Sequence, residues 1–171
     1  SLPTVALADS LDLSMDTIKK GILSFKGTTR RFEYKGDLAG ITIIDDYAHH
    51  PTEVHATLSA AKNYPHNSIY CVFQPHTYTR TKTFLKEFAK ALSMADTIIL
   101  SDIYAAREKD PGDISAKDLA DELVKLGKEA YYFDSFGQIE NFILENCTKG
   151  DLLITMGAGD IVKVGESLLG I

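Results

Sequence analysis

The sequence predicts an α/β domain of the Rossmann-like, doubly wound type. Its sheet is mostly parallel, of about six strands, with helices on both faces. Three observations carry this. Short β-branched apolar runs alternate with amphipathic stretches from about residue 40 onward. Most of those runs show little polar/apolar alternation, which suits strands buried on both faces. Each run is followed by a polar loop before the next helical stretch begins.

The apolar runs are Ile41–Ile44, Ser68–Phe73, Thr97–Leu100, Tyr131–Phe133 and Leu152–Thr155. Between them, side chains recur at helical spacing. Val54, Leu58 and Ala61 share one face, as do Phe84, Leu85, Phe88, Ala89 and Leu92. Leu119, Ala120, Leu123 and Val124 form the next stripe, then Ile139, Phe142 and Ile143, and last Ile161, Val164 and Leu168. Pro51-Thr52, Ser115 and Ser135 mark helix starts, being residues that suit the unpaired N–H groups there. The first section reads differently. Asp12 to Phe25 has helical spacing, Arg30 to Tyr34 reads as a strand, and Gly36-Asp37 as a turn. A break near Gly27 separates this section from the rest.

The chain has 171 residues, 44% of them hydrophobic, which is enough to bury one core. A net charge of −6 argues against a nucleic-acid partner, which needs a basic face. No apolar run is long enough for a membrane span, and the opening residues lack the pattern of a secretory leader. The cysteines, Cys71 and Cys147, fit no zinc or redox spacing and read as reduced thiols.

In an open parallel sheet, ligands collect at the carboxyl ends of the strands. The loops there carry Asp45 to Glu53, Gln74 to Thr81, Ser101 to Asp113, and Gly157 to Asp160. They hold His49, His50, His76, Arg80 and Arg107, three of the five histidines and two of the four arginines. His76 and Arg80 stand four apart at a helix start, where a guanidinium and free N–H groups favour an anion. Plain alternatives stand beside each reading. Asp45-Asp46 reads as a helix-capping loop or as a ribose acceptor. Arg80 serves a surface ion pair or an anion. Gly157–Asp160 is a simple turn or a phosphate loop. His49-His50 lacks further ligands at metal spacing, so no metal site is expected. His55 and His66 read as solvated. No G-x-x-x-x-G-K-[ST], G-x-G-x-x-G or G-x-S-x-G occurs, so the sequence holds no self-sufficient ATPase loop.

Five motifs, in this order, carry a resemblance: G-T-T-R-R-F at 27–32, D-D-Y-A-H-H-P-T-E at 45–53, Q-P-H-T-Y-T-R-T at 74–81, Y-A-A-R-E at 104–108 and M-G-A-G-D-I at 156–161. Together they resemble the third domain of the Mur ligases, over nearly the whole chain. The second and third are similar to the branch that adds L-alanine to UDP-N-acetylmuramic acid. The resemblance implies a cytoplasmic, ATP-dependent C–N ligase of peptidoglycan precursor synthesis, with Mg2+ held mainly by a central domain. ATP phosphorylates the sugar carboxylate, and the amine of L-alanine displaces phosphate from the acyl phosphate. It further implies that residues 1–26 are the end of the central domain, and that 27–171 form an amino-acid-binding lid, inactive alone. Carried over by position, Arg31 contacts the ATP phosphates and Asp46 the nucleoside, with Arg30 and Asp45 as the one-residue alternatives. Tyr47, His49, His76 and Arg80 match the amino-acid pocket, His49 and His76 orienting the substrate and Arg80 pairing with its carboxylate. Many relatives have Arg where this chain has Thr77, which leaves one carboxylate or acyl-phosphate contact open. A murein tripeptide ligase domain and a stand-alone small-molecule module remain as alternatives.

Overall fold

The computed structural model describes residues 2–25 and 27–171. Two short helices come first, α1 (Leu2–Ser10) and α2 (Met15–Ser24). Ser14 caps α2 by accepting from Thr17 N at 3.3 Å. The α/β body then runs β1 (Glu33–Leu38), β2 (Ile41–Asp46), α3 (Pro51–Ala61), β3 (Ile69–Phe73), α4 (Tyr78–Thr83), α5 (Leu85–Leu92), β4 (Thr97–Leu100), α6 (Ala116–Lys125), β5 (Glu129–Tyr132), α7 (Phe136–Asn146), β6 (Leu152–Met156) and α8 (Val162–Leu169).

The strands form one six-stranded sheet in the order β1-β2-β6-β3-β4-β5. All neighbours are parallel except β1 and β2, which form a hairpin. Successive residues of each central strand enter opposite cores, which is why the runs show so little alternation. Ile44, Cys71, Phe73, Ile98, Leu100 and Ile154 face one core with Val54, Leu58, Phe88, Leu92, Leu119 and Leu123. Ile43, Val72, Ile99 and Leu153 face the other with Ile139, Ile143, Ile161 and Val164. Burying each such side chain contributes roughly 1.5–3 kcal/mol before ordering entropy offsets most of it. Cys71 lies wholly inside, and burial pushes its thiol up to about 12. It is a core residue rather than a reactive one.

Several boundaries differ from the sequence expectation. The first strand is displaced: Gly36-Asp37 lies within β1 and not in a turn, with an irregularity between Tyr34 and Gly36. The turn falls instead at Ala39 and Gly40, both at positive φ (51° and 88°). Alanine gives no hint of that conformation. The stripe from Phe84 to Leu92 follows a separate short helix, α4. The break is at Phe84, whose φ of −112° leaves the helical range. The expected helix from Asp12 to Phe25 is shorter, and α1 precedes it unannounced.

The wiring positions the site. Strand β6 lies between β2 and β3, but α3 and α5 pack on the first core and α8 on the second. The connections after β2 and β3 therefore part from the one after β6, and a crevice opens at the carboxyl ends. Among the described residues no helix is long and apolar enough to cross a membrane.

Candidate active site at the strand tips

Arg30 is the strut of the crevice. Its Nε donates to Asp45 Oδ2 at 2.9 Å, Nη2 to the Gly157 carbonyl at 2.7 Å and Nη1 to the Gly159 carbonyl at 3.0 Å. Asp45 is fully buried and also accepts from Thr155 Oγ1 at 2.8 Å. Burial raises its carboxyl above the usual range, while the Arg30 and Thr155 bonds pull it back. The β6 turn is thereby tied to the segment before β1. Gly157 must be glycine: it sits at φ 150°, and a Cβ there would lie 2.8 Å from the Gln74 carbonyl.

The loop after β2 is organised by the second aspartate. Asp46 is 6% exposed, and its Oδ1 accepts from Ala48 N at 2.9 Å. Its Oδ2 accepts from Phe32 N and Thr57 Oγ1, both at 3.0 Å. Tyr47 N donates to the Arg30 carbonyl at 2.8 Å. The Tyr47 ring then stands under two guanidinium groups, Arg30 at 5.0 Å and Arg31 at 5.8 Å. Each nitrogen of the Arg30 guanidinium is held by one of these three bonds. Arg31 keeps a half-exposed side chain whose salt bridge, to Glu53, spans 3.8 Å.

His49 donates its backbone N–H to Glu53 Oε2 at 3.0 Å. Its Nδ1 lies 2.9 Å from the Tyr47 carbonyl and 3.4 Å from Glu53 Oε2. A carbonyl only accepts, so the neutral tautomer that fits carries its proton on Nδ1, and its Nε2 has no hydrogen-bond partner among the described residues. Partial burial raises the Glu53 carboxyl. The His49 N–H, the His49 ring, Arg31 and the His50 N–H outweigh burial and hold it below the usual range. His50, by contrast, is structural. Its Nδ1 accepts from Thr52 N at 3.4 Å at the start of α3, and its ring meets Phe84 edge-on at 5.0 Å.

The loop after β3 supplies the other half. Arg80 Nη1 donates to His76 Nδ1 at 3.3 Å, which leaves the His76 proton on Nε2. Burial lowers the His76 pKa, and Arg80 and His49 lower it further. Thr77 between them has φ 67° and ψ 142°, a conformation costing a β-branched residue about 1–3 kcal/mol. Three bonds impose it: Thr77 N to the Tyr104 carbonyl (2.9 Å), Thr81 Oγ1 to the Thr77 carbonyl (2.7 Å) and Arg80 N to Thr77 Oγ1 (3.4 Å). Glu108 caps the same helix by accepting from Thr79 N at 2.9 Å.

The result is a row of four rings. Tyr47 meets His49 at 5.4 Å, His49 meets His76 at 5.7 Å, and His76 stacks on Tyr104 at 5.6 Å. Arg31 stands at the Tyr47 end, and Arg80 is bonded to the third ring, His76. An NMR titration is expected to place the His76 midpoint below 6.5, and Arg80→Ala to move it upward. A base with a lowered folded pKa keeps its stabilising contribution above 6.5. It loses that contribution as pH falls through 6.5 toward the folded midpoint. A midpoint above 6.5 contradicts the packing described.

The predicted residues Tyr47, His49, His76 and Arg80 do stand together, with Arg31 at the margin. Arg107 is exposed, and among the described residues it has no polar bond to this group. Sequence reasoning did not assign Glu53, Gln74, Tyr104 or Thr155. Glu53, Gln74 and Tyr104 lie inside the quoted motifs. Thr155 is a strand residue with no outward signal. Among the described residues, no three or more His, Cys, Asp or Glu side chains are grouped so as to hold a metal ion.

The family model described as "Mur ligase, glutamate ligase domain" matches residues 30–159, well over half of the chain. The chain belongs to the Mur ligase family. This Mur ligase chain is 64% identical over 169 residues to the UDP-N-acetylmuramate–L-alanine ligase of Lachnoclostridium phytofermentans, covering 99% of the chain and 36% of that protein. It is 52% identical to the ligase of the same name from Caldanaerobacter subterraneus, covering 99% of the chain and 37% of that protein. The chain thus spans about a third of the length of these relatives. The crystal structure of UDP-N-acetylmuramate-alanine ligase from Thermotoga maritima superposes with a TM-score of 0.79 at 30% identity, covering 97% of this Mur ligase chain and 35% of that one. A murein peptide ligase from Psychrobacter arcticus shares the fold, with a TM-score of 0.71 at 22% identity over 97% of this chain and 35% of that one.

Proposed function

We propose that this Mur ligase chain is the acceptor-holding lid of a three-domain, ATP-dependent ligase that joins L-alanine to UDP-N-acetylmuramic acid. The observation that carries the reading is the Tyr47–His49–His76 row, with Arg31 over its first ring and Arg80 bonded to its last. Beside the reacting sugar carboxylate, such a reaction must hold a phosphate chain and the amino acid's own carboxylate. A guanidinium is suited to each.

In this reading Arg31 faces the nucleotide phosphates. Arg30 is held by Asp45 and the glycine turn and serves as scaffold. Asp46 stands on the nucleoside side. Its carboxylate ties the backbone of Phe32 to that of Ala48, and so presents Arg31 and Tyr47. Arg80 pairs with the alanine carboxylate. His76 offers its Nε2–H as a donor beside it, and His49 offers a free Nε2 lone pair. Alanine reaches the site as an ammonium and must lose a proton before its nitrogen can attack. His49 takes that proton at Nε2, and Glu53 stabilises the imidazolium from the Nδ1 side. The lid's other contribution is positioning and exclusion of water from the acyl phosphate.

Mg2+ eases the transfer of the phosphoryl group by neutralising charge, and we assign its ligands to the rest of the ligase. Residues 1–26 belong, in this proposal, to the central domain. Leu7, Leu11, Leu13, Met15, Leu23 and Phe25 of that section are exposed within two short helices and their flanks, whereas the exposed aliphatics of the body, Val124, Leu126, Leu144 and Ile171, lie apart from the strand cores. The chain alone is expected to show no ligase activity, and the complete enzyme to work in the cytoplasm.

The test uses the full-length ligase with ATP and UDP-N-acetylmuramic acid. Acceptor-dependent ADP release is expected with L-alanine and not with murein tripeptide. Preference for the tripeptide overturns the proposal.

A further inference from the structure

We infer that Tyr104, backed by Gly159, is the wall against which the acceptor's side chain packs, and that it limits the acceptor to a small amino acid. The inference rests on the acceptor-site reading above and extends it to a residue that reading does not use.

Tyr104 is held beside His76 by two backbone bonds, one on either side of the histidine. Tyr104 N donates to the Pro75 carbonyl at 2.8 Å, and Thr77 N donates to the Tyr104 carbonyl at 2.9 Å. The ring therefore does not choose its place by side-chain rotation alone; the backbone delivers it. It lies nearly parallel to the His76 imidazole, 21° off and 5.6 Å away. Its other neighbour is the β6 turn. A Cβ built on Gly159 would come within 2.8 Å of the ring and within 2.2 Å of Gln74 Oε1. Only a glycine backbone lets the ring sit this close.

The turn itself is fixed. Arg30 binds the Gly159 carbonyl, and Gln74 Nε2 donates to Asp160 Oδ1 at 3.0 Å. Gln74 is buried, and its Oε1 has no partner among the described residues. The Tyr104 ring is thus braced between His76 and a rigid turn, yet 39% of the residue stays exposed at the mouth of the crevice.

The rest follows from the shape of an amino acid. Its α-carbon carries a carboxylate, an amine and a side chain. Arg80 takes the carboxylate, and the histidines lie along the amine. The remaining apolar surface beside His76 is the Tyr104 ring, and it has no room to retreat toward Gly159. A methyl group rests on such a ring. A longer side chain meets it.

The test measures kcat/KM of the full-length ligase for L-alanine and for L-2-aminobutyrate, which is one methylene longer. Tyr104→Ala and Tyr104→Leu are expected to lower the alanine-to-aminobutyrate ratio by roughly tenfold or more, the scale of one methylene in a shaped pocket. Tyr104→Phe keeps the ring and is expected to keep the wild-type ratio. A merely structural role slows both acceptors alike and leaves the ratio unmoved in a variant that still unfolds cooperatively. An unmoved ratio in Tyr104→Leu overturns the inference. Arg80→Ala, run alongside, separates the two readings. If it raises the KM for L-alanine while the Tyr104 ratio stays fixed, only the wall is lost. If it leaves that KM unchanged, the acceptor site itself is lost.

Discussion

Arg30→Ala is expected to destabilise the chain by about 2–4 kcal/mol, read as a shift of the urea midpoint. Removing one partner of a buried ion pair typically costs about 3–5 kcal/mol. Arg30 is 21% exposed along its side chain, so solvent recovers part of that. Three losses combine. The Asp45 carboxylate, fully buried, keeps Thr155 as its side-chain hydrogen-bond partner among the described residues. The Gly157 and Gly159 carbonyls lose their donors. The segment before β1 loses its side-chain tie to the β6 turn. The pH dependence identifies the cause. Burial already raises the Asp45 carboxyl, and without Arg30 it rises further. A carboxyl whose folded pKa lies above its unfolded value stabilises the protein below the unfolded value. That stability is lost as pH rises through the folded pKa. The variant is therefore expected to suffer more near neutral pH than at about pH 4. A midpoint within error of wild type, or a loss independent of pH, contradicts the strut.

His49→Gln in the full-length ligase is expected to lower kcat roughly 10²–10⁴-fold, the usual contribution of a positioned proton acceptor. Glutamine keeps a polar side chain near the amine but takes up no proton at neutral pH. Hydroxide or water must then remove the proton, so the variant's rate is expected to climb with pH more steeply than that of wild type. The substitution leaves His76, Arg80 and Arg31 in place, so the KM values for ATP and L-alanine change far less than kcat. A variant with near-wild-type kcat, or a loss confined to KM, removes His49 from proton transfer.

The layout was legible where chemistry repeats along the chain. Strands buried on both faces show as unbroken apolar runs, and amphipathic helices as stripes. The position of the loops at the carboxyl ends then follows from parallel topology. His49, His76 and Arg80 were legible for the same reason, since they occupy those loops; Tyr47 entered only through the resemblance to the Mur ligases. What stayed hidden depends on geometry between distant segments. Nothing in the sequence says which of Arg30 and Arg31 is consumed internally; that is decided by two glycine carbonyls more than a hundred residues away. Adjacent His49 and His50 look alike in sequence. One caps a helix against Phe84, and the other joins the row of rings. Tyr104 opens the Y-A-A-R-E motif, but no role follows from the motif, and the pairing of its backbone with Pro75 and Thr77 is what brings it to His76. The β1–β2 turn was misplaced because Gly36-Asp37 reads as a turn, while the true turn shares its positive φ between Ala39 and Gly40.

The central claim is that Arg80 holds the acceptor's carboxylate. The most direct measurement is the steady-state KM for L-alanine in the full-length ligase carrying Arg80→Ala, with the KM for ATP determined in parallel. A charge-assisted pair contributes about 1.5–3 kcal/mol, so the alanine KM is predicted to rise roughly 10–100-fold while the ATP KM stays close to wild type. An alanine KM that does not move, or an equal rise in both constants, contradicts the account.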